Sequence, residues 1–261
     1  MAQPQIDRVT FCRPRYLPGL ELVDATYTRR SFPIHSHAEY VIGAVVAGAE
    51  RLTLSGNDVV LRVGSSLCLN PGEPHSNASI DDHCMGYRVF YIPAKLVPTE
   101  QSIAFSSQVT HCPKFFRNLV EMHRILRASD DQLEQEETLI LLLHALPNSP
   151  QIARVDLPVH PGLAAARAHL ESYFCEAPGM AELAAVAELS RFHLIRSFRR
   201  QYGLTPAAFR NQLRVMEARR LLCSGMRIAD VALSVGFADQ SHLTRLFQRI
   251  LGTTPGVYAQ Q

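Results

Sequence analysis

The stretch IADVALSVGFADQSHLTRLFQRILG, from Ile228 to Gly252, holds a short alanine-rich segment, a Gly236-Phe237 break and a longer amphipathic segment. The same layout occurs once before. Met180-Ala-Glu-Leu-Ala-Ala-Val-Ala187 is followed by a break at Glu188-Leu189 and then by Ser190-Arg-Phe-His-Leu-Ile-Arg-Ser-Phe-Arg-Arg-Gln-Tyr-Gly203. Each copy predicts a short helix, a tight turn and a longer helix, the helix-turn-helix arrangement. Ser190 and Asp239 are good N-caps, and Gly203 and Gly252 are good stops.

Helical spacing sorts the faces of the longer helices. Leu194 and Phe198, and Leu243 and Phe247, lie four apart and should face a core. Phe192, Ile195, Arg196 and Arg199 then fall on another side of the first helix, and Gln240, Ser241 and Arg245 on the comparable side of the second. An arginine stands two residues past the first core leucine in both copies, Leu194/Arg196 and Leu243/Arg245. Between the copies, Thr205-Pro206 reads as an N-cap with proline at the first helical position, and Gly225 ends that element. At 1.5 Å per residue this connecting helix is roughly 28 Å long, comparable with one turn of DNA at ~34 Å.

Charge follows the same division. Residues 151–261 carry 13 arginines, no lysine and 8 acids, a net +5, whereas residues 1–150 carry 13 Lys+Arg against 16 acids, a net −3. Guanidinium suits phosphate and base-edge geometry better than ammonium does, so a basic helical half joined to a mildly acidic half points to nucleic-acid binding coupled to a second activity.

On these residues the region 162–259 resembles the DNA-binding domain of the AraC/XylS family of transcription regulators. The resemblance rests on Leu183-Ala184 with Ser190, His193-Leu194, Arg196, Phe198 and Gly203, then on Arg214, Ala218-Arg219 and Leu221-Leu222. It continues through Ile228-Ala229-Asp230-Val231-Ala232, Gly236-Phe237, Ser241-His242-Leu243, Arg245-Leu246-Phe247, Gly252, Thr254-Pro255 and Tyr258. It implies that Phe192, Ile195 and Arg196, and Gln240, Ser241, His242 and Arg245, fall where family members contact bases of double-stranded DNA. Two departures stand out. Ile195 occupies a position where a polar base-reader is frequent, and Glu188 replaces a small residue in the first turn.

The amino-terminal half reads differently. Residues 20–95 alternate and turn as β structure does. Leu52-Thr-Leu54, Ser55-Gly-Asn-Asp58 and Val59-Val-Leu61 form strand, turn and strand, and Gly64, Pro71-Gly72 and Pro74 punctuate the segments beyond them. Periodicity then predicts a pair of helices over about 113–146. Phe116, Leu119, Val120, His123 and Leu126-Arg127 mark the first; the second runs from Leu133 to Leu146, with Glu134, Glu136 and Glu137 at its start, where negative charge suits the helix dipole. Leu119, Leu126, Leu139, Leu142 and Leu143 supply apolar stripes that fit either a dimer contact or cover for the strands. Pro147, Pro150, Pro158 and Pro161 bracket a stretch with little periodicity. The expected division is therefore an effector-binding and dimerisation domain over 1–147, a linker over 148–160 and a DNA-binding domain over 161–261.

Within the first domain, His35-Ser-His37, the turn at Gly48, and Gly64 followed by Pro71-Gly72-Glu-Pro-His75 resemble the small cupin β-barrel often fused to this type of DNA-binding domain. The resemblance implies an α+β multidomain chain, with a cupin-like barrel and helical pair followed by an all-α domain carrying two helix-turn-helix motifs. In metal-bearing cupins an HxH pair, a glutamate a little further on and a later histidine ligate a metal, and imidazole and carboxylate suit Zn, Fe, Ni or Mn. Here Glu39 follows His37 too closely for that interval, and Val41 or Ile42 stands where the glutamate would be. If His35, His37 and Glu39 lay on one strand they would share a face. His35, His37, Glu39 and His75, with Arg51, Tyr87 and Tyr91 by location, are the candidates for an effector pocket. His35, His37 and His75 are the candidates for a metal.

The expected protein is therefore a transcription regulator, not an enzyme, with DNA, a small-molecule effector and a second copy of itself as partners; the family resemblance adds RNA polymerase. No cofactor is expected. A metal-sensing regulator and a metal-dependent cupin enzyme with an appended helical domain stay as alternatives. The 47% apolar and 19% charged residues exclude extensive disorder. The first thirty residues hold no signal-peptide pattern, and the longest apolar run, Leu139-Ile-Leu-Leu-Leu143, is far short of the ~20 residues of a membrane span. The six cysteines are scattered without a C-x-x-C pair, which suits free thiols in a reducing cytoplasm.

Overall fold

A computed structural model describes residues 7–80, 84–97, 103–147, 160–176 and 178–260. The linker expected over 148–160 lies almost wholly outside the described residues. The chain divides at Arg154/Val155 into two compact units.

The first unit holds β1 (Arg8–Cys12), β2 (Glu21–Tyr27), β3 (Ser31–His35), β4 (Tyr40–Ala47), β5 (Ala49–Leu54), β6 (Asn57–Arg62), β7 (Ser66–Leu69), β8 (His75–Ser79), β9 (Met85–Ile92) and β10 (Val109–Thr110). Two helices come next, α1 (Pro113–Ala128) and α2 (Gln132–Ala145). The strands form a six-stranded sheet in the order β1-β2-β9-β4-β7-β10 and a four-stranded sheet in the order β3-β8-β5-β6. The expected β region of 20–95 thus omits edge strands β1 and β10. The β5–β6 hairpin closes through Ser55 and Gly56, at φ 50° and 85°. A loop with both residues at positive φ matches the twist of paired strands.

Strand alternation gives the larger sheet two faces. Leu22, Ile42, Phe90 and Ile92 point to one side and join Phe115, Leu119 and Leu126 of α1 and Leu139, Leu142 and Leu143 of α2 in one core. Each such side chain contributes roughly 1.5–3 kcal/mol by leaving water. Of the two roles open to the leucine stripes, the structure gives them the second: all five are at most 6% exposed and cover their own sheet, so they offer nothing to a partner. The outward face of α2 instead carries Leu133, Ile140 and Leu141, 71%, 54% and 52% exposed.

His123 fastens α1 to the sheet. It is 1% exposed, its ring meets Phe90 edge-on at 5.3 Å, and its Nε2–H donates to the Val23 carbonyl at 3.1 Å. Burial, then Arg88 and Arg127, push its pKa down to about 4. Because the folded-state pKa lies below the unfolded one, the stabilisation is complete above pH ~6.5 and drains as pH falls toward 4. Acidification from pH 7 to about 4.5 is expected to cost this unit about 2–3 kcal/mol through His123. The check is the denaturant midpoint at the two pH values: a His123→Phe variant with the same acid slope as the parent would remove His123 as the cause.

The second unit is helical: α3 (Pro161–Tyr173), α4 (Met180–Val186), α5 (Arg191–Tyr202), α6 (Pro206–Cys223), α7 (Ile228–Ser234), α8 (Gln240–Leu251) and α9 (Pro255–Ala259). The cap residues read from the sequence act as such. The Ser190, Thr205 and Asp239 side chains accept from the N–H groups of His193, Ala208 and His242, and Gly203 and Gly252 end their helices at φ 73° and 76°. Leu163, Ala166 and Leu170 of α3 pack with Leu183 and Ala184 of α4 and Leu194 and Phe198 of α5, against Phe209 and Leu213 of α6. Further along α6, Val215, Ala218 and Leu222 are buried, as are Val231, Leu243, Phe247 and Tyr258.

Candidate DNA interface and effector site

The two helix-turn-helix units, α4–α5 and α7–α8, present matching surfaces. Leu194, Phe198, Leu243 and Phe247 are all 0% exposed. The helical rotation that buries them turns Arg196 and Arg199 of α5, and Gln240, Ser241 and Arg245 of α8, into solvent. Phe192 and Ile195 share that side at 76% and 38% exposure. Large apolar groups held in water gain by meeting an apolar partner, and a thymine methyl in the major groove is one. His242 is exposed too, with its ring 5.0 Å from that of Phe237, which limits its freedom. Three other arginines of the unit are paired with acids on their own helices, Arg167 with Glu171, Arg220 with Glu217 and Arg227 with Asp230.

The turns are built differently. Gly236 in the second has φ +81°, and a Cβ there would lie 2.2 Å from the Cys175 carbonyl oxygen. Arg214, 4% exposed, braces the same point, donating from Nε to the Phe174 carbonyl at 2.7 Å and from Nη2 to that of Cys175 at 3.1 Å. In the first turn Glu188 takes φ +53°, so the glutamate keeps the left-handed conformation rather than reshaping the turn. There the close approach comes from the neighbouring helix: a Cβ on Gly162 would lie 2.1 Å from the Ala187 carbonyl oxygen.

In the first unit, the register β5–β8 sets Leu54 opposite His75 and Leu52 opposite Asn77. Residues directly opposite each other share a face, and alternation adds Glu50 to that face. Arg51 consequently points outward, its side chain 59% exposed beside Asp58, and leaves the set of pocket candidates. Glu50 is the residue that the sequence reading missed. It is 1% exposed and accepts hydrogen bonds from the Tyr87 hydroxyl and, at 3.1 Å, from Asn77 Nδ2. These bonds join the smaller sheet to β9, so the Glu50 face and the Tyr87 face look at each other. Burial pushes the Glu50 carboxyl up, and burial and then Glu50 push the Tyr87 hydroxyl well up.

A second polar group lies in the same interior. His35, His37 and His75 are each 6% exposed, and one ring nitrogen from each falls within 4.8 Å of the others. The His37 ring sits 5.3 Å from that of His75 and 5.0 Å from that of Tyr91. The expected shared strand face does not form, because β3 ends at His35 and leaves His37 and Glu39 in the connection to β4. Released from strand alternation, His37 turns inward, and Glu39 does not join the group of three. Burial lowers the pKa of His35, the bond to the Pro33 carbonyl opposing it, so the imidazole is favoured in its neutral form.

Comparison with known proteins agrees with both halves. Residues 17–143 match the profile of an AraC-like ligand binding domain, and residues 183–261 match that of a helix-turn-helix domain. The chain is 29% identical over 227 residues to the uncharacterized HTH-type transcriptional regulator YbfI of Bacillus subtilis, covering 82% of each chain. It is 25% identical over 248 residues to the HTH-type transcriptional activator RhaS of Klebsiella pneumoniae, covering 89% of each. Among solved structures, unsaturated fatty acid bound ToxT from Vibrio cholerae superposes with a TM-score of 0.58 at 14% identity, over 99% of this chain and 97% of that one, a likeness of fold.

Proposed function

Because the chain belongs to the AraC family of transcription regulators, we propose that α5 and α8 read operator DNA while the interior between the two sheets takes a polar small-molecule effector. The observation that carries the DNA half is the paired exposure of Arg196 and Arg245, each two residues beyond a fully buried leucine, on helices joined by α6. At 18 residues, α6 spans about 27 Å, which lets one chain address two successive major-groove segments. Phe192, Ile195, Arg196 and Arg199 face one segment, and Gln240, Ser241, His242 and Arg245 the other. Residues 161–261 are taken as the DNA-binding module, with the linker before it.

For the effector, the inward polar groups support a ligand bearing hydroxyl, amide or carboxylate groups. Glu50, Asn77 and Tyr87 form one cluster, and His35, His37, His75 and Tyr91 another. The exposed Leu133, Ile140 and Leu141 of α2 support a homodimer contact, and a contact with RNA polymerase accords with the activator role named for RhaS. Among the described residues no helix is long and apolar enough to cross a membrane. All six cysteines are free, which supports a place in the reducing cytoplasm.

Footprinting the full chain on the DNA upstream of its own coding sequence tests the reading. Protection of two major-groove segments about 10 base pairs apart on one face is expected for each bound chain. Protection of a single segment would leave one of the two motifs without a DNA role.

A further inference from the structure

We infer that the cleft between α1 and the outer face of the larger sheet is a small-molecule site of its own, one that takes a phosphate monoester. It lies on the opposite side of the sheet from the effector interior and does not depend on that reading.

Three observations lead there. The first is how the cleft is built. Thr10, Asp24 and Arg88 stand directly opposite one another across β1, β2 and β9, so one row of the sheet turns polar beside the cleft. Two residues along on the same face, Leu22 and Phe90 belong to the core under the helices. Val120, His123, Arg124 and Arg127 recur at helical spacing on α1 and form the wall. With Asp24, Arg88 and Ala128 they line a volume of about 480 Å³, which fits a small metabolite better than a bare ion.

The second is charge. The lining holds three guanidinium groups, Arg88, Arg124 and Arg127, against one carboxylate, Asp24, a net +2. Arg88 donates to Asp24, Arg127 to Thr10 Oγ1 at 3.1 Å, and Arg124 to Glu121 at 2.6 and 3.0 Å. A guanidinium has five N–H donors, so each keeps some to spare. After burial, Arg88 and Arg127 act most strongly on the His123 ring, so their positive field reaches the cleft wall. A phosphate monoester offers three acceptor oxygens, which suits guanidinium groups arriving from both sheet and helix. Val120 and Ala128 leave apolar contact for the rest of the molecule. The third is separation. Side chains alternate along a strand, so Arg88 faces the cleft while Tyr87 faces inward and donates to Glu50. The two sites share β9 but no side chain.

The test is titration of full-length protein carrying isotope-labelled histidine with glycerol 3-phosphate and, separately, with succinate, at neutral pH and constant ionic strength. The His123 ring signal should shift to saturation with glycerol 3-phosphate, while those of His35, His37 and His75 stay in place. Half-saturation with succinate should need at least about fivefold more ligand. The Arg124→Gln/Arg127→Gln double variant changes two exposed positions of α1, so it should fold and bind operator DNA as the parent does. Its half-saturation with glycerol 3-phosphate should rise at least about fivefold. A shift that never saturates, or unchanged affinity in the double variant, would overturn the site and leave the regulator reading intact. Movement of the interior histidines in place of His123 would put the phosphate between the sheets and overturn it as well. Succinate binding as tight or tighter would overturn the phosphate class.

Discussion

Replacing Arg196 and Arg245 together by alanine is expected to weaken operator binding by about 2–6 kcal/mol, the sum of about 1–3 kcal/mol for each arginine reading a base. The sites lie on separate helices and share no partner, so their effects should add. Both side chains are exposed, so the fold and melting temperature should not change, and a binding loss can be read as a lost contact. Mechanism is separable as well. An arginine that forks onto guanine O6 and N7 gives a loss that depends on the base at one operator position. One that meets phosphate gives a uniform loss and a shallower salt dependence. Undiminished affinity of the double variant, measured at a fixed salt concentration, would remove α5 and α8 as the reading helices.

Gly236→Ala should have the second large effect, this time on the fold. Two penalties coincide at this residue. A φ of +81° costs any L side chain about 1–2 kcal/mol. The added Cβ would also lie 2.2 Å from a backbone oxygen and 2.7 Å from Arg214 Nη2. The carbonyl of Cys175 cannot move away without breaking its bond to Arg214, which sits 5.5 Å from the Phe237 ring and ties α6 to the second turn. A loss of at least about 3 kcal/mol is expected, or about 10 °C or more in the melting temperature of the helical unit. The reciprocal change, Glu188→Gly in the first turn, should do little. Relief of the left-handed conformation, about 1–2 kcal/mol, is about half offset by the greater freedom of glycine in the unfolded chain, about 0.5–1 kcal/mol, which leaves a net gain under about 1 kcal/mol. Differential scanning calorimetry on the two variants decides it. A Gly236→Ala melting temperature within a degree or two of the parent would mean that the turn is not held where Cys175 and Arg214 hold it.

The contrast between the two turns shows where sequence reasoning stops. Glu188 is visible in the sequence as a departure, and its effect on the turn is open there; the structure shows the conformation kept. That Gly162 supplies the close approach in the first motif, whereas Gly236 itself does so in the second, follows from helix packing, which no local pattern encodes. The effector side is less legible. Location alone recommends Arg51 and passes over Glu50, although Leu52 and Leu54 alternate with Glu50 and put it on their own face. The alternation is in the sequence; which face looks inward is not, until β5 is paired with β8. The leucine stripes of α1 and α2 are likewise visible as stripes, and only the packed sheet shows that its own Phe90 and Ile92 cover them.

By itself the sequence determined the two helix-turn-helix motifs and the helix between them: their caps, buried leucines and exposed arginines. Those features depend on interactions within a few residues, such as the 3.6-residue period, a hydroxyl or carboxylate reaching back to an N–H three residues on, and a left-handed glycine at a helix end. The family resemblance carried the function of that unit with it. Tertiary structure decided the interior of the first unit, where strand register and the early end of β3 bring His35, His37 and His75 together, put Glu50 against Tyr87 and turn Arg51 outward. The physical reason is that strand pairing is non-local: a side chain's neighbours across a sheet are set by register, and a shift of one residue exchanges the buried face for the exposed one.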